Sequence, residues 1–159
     1  MDCGFCKDKK WFRYRAGAII LEDGQILLAK NDDNDFYYTV GGGVQVGETA
    51  KEAVLRETLE ETGVQYEIER LIFVHENLYV GQGSMEGLDC HEICFFFLMK
   101  HRGTRQICDL DGVTNEGFKE HMVWIPLNEL DKYTVYPSFI KDKLQHMKNE
   151  IKHIVTVNI

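Results

Sequence analysis

Only two prolines, Pro126 and Pro137, occur in the 159 residues. No stretch is rich in proline, glycine or serine, so nothing reads as a linker between domains. A chain of this length is close to the size of one independent core, which predicts a single domain over residues 1–159. Long apolar runs are missing as well. The longest, Ile93 to Met99, is far too short to span a bilayer, so no membrane segment is expected. Lys7, Lys9 and Lys10 are followed by no apolar block, which excludes a secretion signal at this end. Positive charge is scarce: 18 Lys and Arg stand against 26 Asp and Glu, for a net charge of −8. A nucleic-acid polymer is bound through cations that displace counterions from phosphates, and this chain has few to spare. There is no second Cys-x-x-Cys to complete a zinc ribbon with Cys3 and Cys6. The five cysteines, Cys3, Cys6, Cys90, Cys94 and Cys108, are an odd set that predicts reduced thiols and a cytoplasmic location.

What the chain does have is an apolar fraction of 44%, enough for a sizeable core. Residues 1–10 read as a flexible extension. Trp11–Leu21 and Gln25–Ala29 read as strands joined through Glu22-Asp23-Gly24, a hairpin signal. Gly41 to Glu48 reads as a glycine-rich loop. Thr49 to Thr62 is the clearest helix, with Thr49 and Glu52 as a capping box and Gly63 as its left-handed stop. Glu67–Tyr79, His91–Lys100 and Met122–Ile125 read as strands, and Pro137–Lys148 as a late helix. The expected class is α/β (α+β): a mixed sheet covered by helices on both faces, an α/β/α sandwich.

On a helical wheel at about 100° per residue, Glu57, Glu60 and Glu61 share one face. Leu55, Thr58, Leu59 and Thr62 are expected to face the core, and the small Ala50 and Ala53 to leave space above the carboxylates. Glu57 and Glu61 form a like-charge i, i+4 pair that weakens the helix by a few tenths of a kcal/mol. A solvated helix face accounts for such a cluster; so does a site for a hard divalent cation that takes oxygen ligands.

The string Gly42, five residues, Glu48, seven residues, then Arg56-Glu57-Thr58-Leu59-Glu60-Glu61-Thr62-Gly63-Val64 resembles the Nudix box, G-x5-E-x7-R-E-U-x-E-E-x-G-U. Only Thr58, at a hydrophobic position, departs from it. Ala16–Ile20 and Trp124–Leu130 resemble flanking parts of the same MutT-like family. The resemblance implies hydrolysis of a phosphoanhydride bond in a nucleoside diphosphate linked to another group, with Mg²⁺ or Mn²⁺ as cofactor. It makes Glu57, Glu60 and Glu61 metal ligands. Glu57 would also orient or deprotonate the water, Arg56 would hold a box glutamate in place, and Glu48 would support the loop or ligate a further metal. Gly42 and Gly43 would bring backbone N–H groups to the phosphates, and Glu120 or Glu116 would be a distal catalytic carboxylate. Arg13 and Arg15 are candidates for binding substrate phosphate, or else guard an exposed edge strand. Phe36, Tyr37 and Tyr38 are candidates for stacking on a base, or else core residues. Markers of the ADP-ribose, dinucleoside polyphosphate and NADH subfamilies are missing or displaced, so the nucleotide is not specified. A non-catalytic, ADP-ribose-type sensing module is the alternative, although such modules lose box glutamates and none is lost here. An isomerase on the same fold would want a reactive group near the box. A homodimer is left open. Finally, the family's Pro-Gly-Gly reads Gly41-Gly42-Gly43 here, so Gly41→Pro is expected to be tolerated.

Overall fold

The computed structural model describes residues 1–108, 112–113 and 119–159. Glu116 therefore lies outside the described residues. In chain order the elements are β1 (Gly4–Lys7), β2 (Lys10–Ile19), β3 (Leu21–Glu22), β4 (Gln25–Asn31), β5 (Tyr37–Thr39), β6 (Gly41–Gly43) and α1 (Ala50–Thr62). They continue with β7 (Ile68–Val80), β8 (Asp89–Met99), β9 (Gly112–Val113), β10 (Lys119–Pro126), β11 (Val135–Tyr136), α2 (Ile140–Gln145) and β12 (Lys152–Asn158).

The strands divide between two mixed sheets. The first runs β1-β2-β8-β7-β12, with β6 also paired to β2; the second runs β11-β5-β4-β10-β9, with β3 on β4. The near-continuous apolar strand β8 is central to the first sheet, between β2 and β7, as residues buried on both faces require. Period-two alternation sorts its side chains. Cys94, Phe96 and Leu98 pack toward the second sheet and α2, whereas Phe97 and Met99 pack in the cluster that contains Ala50, Ala53 and Val54 of α1.

Several boundaries differ from the sequence reading. Residues 1–10 are not a loose extension: β1 pairs with β2 through a turn at Asp8 and Lys9, both at positive φ, and Phe5 stacks on Phe12 at 5.7 Å. The glycines of the expected loop are strand β6, in register with Arg15, Ala16 and Gly17. The late helix is confined to Ile140–Gln145, and the β-branched residues after it form β12, parallel to β7. Among the described residues, no helix is long and apolar enough to cross a membrane.

Helix α1 is capped as its sequence dictates. Thr49 accepts from the Glu52 N–H, Glu52 accepts from the Thr49 N–H, and Gly63 closes the helix at φ 66°. Its buried face is the expected one at Thr58 and Thr62 but not at the leucines. Ala50, Ala53, Val54, Thr58 and Thr62 are buried, while Leu55 and Leu59 are 36% and 48% exposed. The two threonines are buried cheaply because their hydroxyls donate to the Val54 and Thr58 carbonyls, at 2.8 and 2.5 Å. Small side chains at 50 and 53 do not leave space over the carboxylates; they bring the helix close to the sheet. Glu57 and Glu61 fall inside this buried arc, at about 100° per residue, and so meet the sheet rather than open water.

Candidate active site

Arg56 is the hub that organises one side of the site. Its guanidinium makes a two-pronged bond to Glu48 (Nε–Oε1 2.8 Å, Nη2–Oε2 2.9 Å), donates to Glu57 Oε1 at 2.5 Å, and donates to the Gly43 carbonyl at 3.1 Å. Glu60 is a weaker partner at 3.4 Å and is largely exposed. Glu48 also accepts from the Gln45 N–H at 3.0 Å, so both of its oxygens are engaged in tying the 45–48 turn to α1. Hydrogen bonding to Arg56 holds the Glu48 carboxyl below the usual carboxylate range.

The glycines of β6 are there because α1 lies against them. A Cβ on Gly42 would stand 2.5 Å from the Glu57 carboxylate. Gly41 is at φ +131°, and a Cβ there would stand 2.2 Å from the Ala16 carbonyl oxygen. The Gly41 N–H donates to Glu61 Oε1 at 3.1 Å. The strand is thus not an open cradle of amides for phosphate: Gly41 serves Glu61, and Gly42 and Gly43 lie opposite Ala16 and Arg15 in the pairing with β2. The expectation that Gly41 tolerates proline is overturned, since proline needs φ near −65° and has no N–H.

Glu61 is the most perturbed carboxylate. It retains some accessible surface but is closely surrounded by protein. Burial, followed by the charge of Glu120, pushes it up to about 8, against the opposing influence of Arg15 and the Gly41 N–H. Glu57 is raised as well, again chiefly by burial. Glu120, on β10 opposite Asn31, accepts a hydrogen bond from the Tyr38 hydroxyl. The structure therefore brings Glu120 to the box helix from a distant part of the chain.

Arg15 is not on an exposed edge. β2 is flanked by β8 on one side and by β1 and β6 on the other. Its buried guanidinium donates to Thr39 Oγ1 at 3.0 Å, the Thr39 carbonyl at 2.7 Å and the Gly41 carbonyl at 3.0 Å. These bonds brace the chain on both sides of Val40 and fix the peptide that presents the Gly41 N–H. A lysine cannot span three acceptors, so Arg15→Lys is expected to cost about 2–4 kcal/mol. An unchanged thermal midpoint for that variant would show the brace to be dispensable.

Arg13 is partly exposed and pairs with Glu92 (Nε–Oε2 2.8 Å), with its guanidinium 5.2 Å from the Trp11 ring. Arg13, Arg15, Tyr38, Thr39, Asn77 and Glu92 border a cleft of about 350 Å³ between the two sheets, walled also by Phe36, Tyr79, Tyr136 and Pro137. Phe36 meets Tyr136 edge to face at 5.2 Å. Tyr37, the neighbouring candidate, instead packs on Tyr133 in the core. The sequence assigned no role to Asn77, Glu92 or Tyr136. Their signal is register: Asn77 and Arg13 both face Glu92 across neighbouring strands.

A hard divalent cation fits the donor chemistry here. Glu57, Glu61 and Glu120 supply only carboxylate oxygens, and burial, with repulsion from neighbouring carboxylates, already penalises the charged forms of Glu57 and Glu61. Among the described residues, however, no three His, Cys, Asp or Glu side chains are gathered into a ready ligand set. Glu57 in particular has one oxygen on Arg56.

A NUDIX domain model matches residues 11–144, so the chain belongs to the NUDIX family. Among curated proteins it is 37% identical over 62 residues to a MutT-like protein of Streptomyces ambofaciens, covering 39% of this chain and 40% of that one. It is 42% identical over 63 residues to the ADP-ribose pyrophosphatase of Methanocaldococcus jannaschii, covering 38% and 37% of the two chains. The matched stretch thus spans about two-fifths of each relative. Among solved structures, the mutator MutT protein of Bacillus halodurans superposes with a TM-score of 0.67 at 20% identity, over 91% of this chain and 90% of that one, a likeness of fold.

Proposed function

We propose that this chain is a cytoplasmic nucleotide pyrophosphohydrolase that cuts a phosphoanhydride bond with Mg²⁺ or Mn²⁺. The observation that supports the reading is that Glu120, a neighbour of Glu61, accepts from the hydroxyl of Tyr38, which lines an aromatic-walled cleft large enough for a nucleotide. A sensing module would have no need of carboxylates such as Glu57 and Glu61, whose charged forms are penalised. The cytoplasmic assignment rests on the five free thiols.

Glu57, Glu60 and Glu61 would hold the cation, with Glu120 closing the set from β10. When bound, the cation neutralises the diphosphate and lowers the pKa of the attacking water. The chain's own residues do the rest. Arg56 fixes Glu57 through Oε1, and burial makes the Glu57 carboxylate a stronger base than an exposed one, suited to take the proton of that water. Phe36 and Tyr136 offer aromatic faces and edges to a base. Arg13, partly exposed and bordering the cleft, is the cation offered to a phosphate while paired with Glu92, whereas Arg15 is committed to the backbone.

Chelation tests the reading. EDTA is expected to abolish hydrolysis across a panel of nucleoside triphosphates, nucleotide sugars, ADP-ribose, NADH and dinucleoside polyphosphates, and added Mg²⁺ or Mn²⁺ to restore it. Full turnover in metal-free buffer would overturn it.

A further inference from the structure

Tyr38 stands between the cleft and the carboxylates, and the catalytic reading gives it no task. Tyr38 of β5 pairs with Ala29 of β4, and Glu120 of β10 pairs with Asn31 of the same strand. Ala29 and Asn31 are two residues apart, so Tyr38 and Glu120 project from one face of the second sheet. They lie two strand spacings apart, about 9–10 Å, and the side chain opposite Tyr38 is only the methyl of Ala29. The phenol reaches across β4, and its hydroxyl donates to Glu120 Oε2. Glu120 in turn is near enough to Glu61 for its charge to raise that carboxyl. The backbone that carries Tyr38 is itself held: Tyr38 pairs with Tyr136 of β11, and Arg15 donates to the Thr39 hydroxyl and carbonyl. The ring borders the cleft, 6.2 Å from that of Phe36.

We infer that Tyr38 is a positioning residue, whose hydroxyl holds Glu120 against the repulsion of Glu61 in the place from which Glu120 joins the box carboxylates. This rests on the hydrolase reading proposed above, in which Glu120 completes the set from β10. Two carboxylates gathered in one site repel each other, and a glutamate left untethered there turns toward water. A phenol hydroxyl suits the task better than a cation. It donates one proton to one oxygen and is neutral, so it leaves the carboxylate its charge for a bound cation and the rest of its lone pairs free to accept. A lysine or arginine at the same place would pair with that charge instead. Phenylalanine keeps the ring and its packing and removes only the bond to Glu120.

A double-mutant cycle of Tyr38→Phe and Glu120→Gln in the full chain tests this. It is read first as Mn²⁺ binding, by electron paramagnetic resonance without nucleotide, and then as turnover. Tyr38→Phe is expected to weaken Mn²⁺ binding roughly threefold or more and to lower kcat about tenfold, with KM nearly unchanged. Glu120→Gln is expected to lower affinity and kcat by at least as much. The double variant is expected to match Glu120→Gln alone, because a glutamine held in the same place cannot replace the carboxylate. A merely structural role, or a direct contact of Tyr38 with substrate, would make the two losses multiply instead. Multiplying losses would overturn the inference, as would wild-type Mn²⁺ affinity and turnover in either single variant. Turnover with multiplying losses sinks this inference alone. Mn²⁺ binding that follows the expected pattern without any turnover sinks only the hydrolase reading, and a protein that neither binds Mn²⁺ nor turns over sinks both.

Discussion

Glu61→Gln is expected to lower turnover by roughly 100-fold or more while leaving the metal-free protein at least as stable as before. The substitution keeps the side chain's shape and its bond from the Gly41 N–H. It removes a charge that sits among protein atoms, near Glu120 and four residues from Glu57. The same charge makes stability depend on pH. An exposed glutamate titrates near 4.3 in the unfolded chain, and folding raises Glu61 to about 8. The folded state thus holds this proton more tightly than the unfolded state. Its stabilising contribution is complete below the unfolded value and is lost as pH rises through the folded one. Without divalent cation, the thermal midpoint of the wild type is expected to fall between about pH 5 and pH 8, and that of Glu61→Gln to fall less. A variant that melts well below the wild type yet keeps its activity would make Glu61 a structural residue.

Gly41→Pro is expected to fail on both counts, by more than about 3 kcal/mol in stability and by a severe loss of activity. Three independent features forbid it. The backbone is at φ +131°, the new ring would collide with the Ala16 carbonyl, and the N–H that serves Glu61 would vanish. Gly41→Ala separates the contributions, because it keeps the N–H but not the space: it is expected to destabilise by less than proline does while still displacing β6. A proline variant that melts at the wild-type temperature would mean that β6 can be rebuilt around a different backbone.

The box itself was legible as a string, and the caps of α1 were legible because they are local: Thr49, Glu52 and Gly63 need no tertiary partner to declare their roles. The packed face of α1 was not legible from hydrophobicity, because the leucines point outward and the buried stripe is alanine, valine and threonine. A helix that must lie against bare glycine backbone uses small side chains, and its carboxylates then meet the sheet. Gly41 was misread for a related reason: position-by-position comparison with proline-bearing loops carries no information about φ. Arg15 and Glu120 depend on contacts distant in sequence, with Thr39 and Gly41 for one and with Tyr38 for the other. Alternation along β2 placed Arg13 and Arg15 on one face, but not that one would be braced to the backbone and the other stay partly exposed beside the cleft. β12 was missed because its apolar residues alternate with polar ones at the chain end, and only pairing with β7 gives the run a meaning.

The central claim is that these carboxylates serve cation-dependent cleavage of a phosphoanhydride. Phosphorus NMR of a nucleoside triphosphate incubated with the protein reads the bond itself. With Mg²⁺ or Mn²⁺ present, the anhydride resonances are expected to give way to those of a shorter nucleotide and the released phosphate or pyrophosphate, and to persist in EDTA or with Glu61→Gln. Cleavage that continues in EDTA, or tight binding of nucleotides across the panel with no cleavage of any, would contradict it.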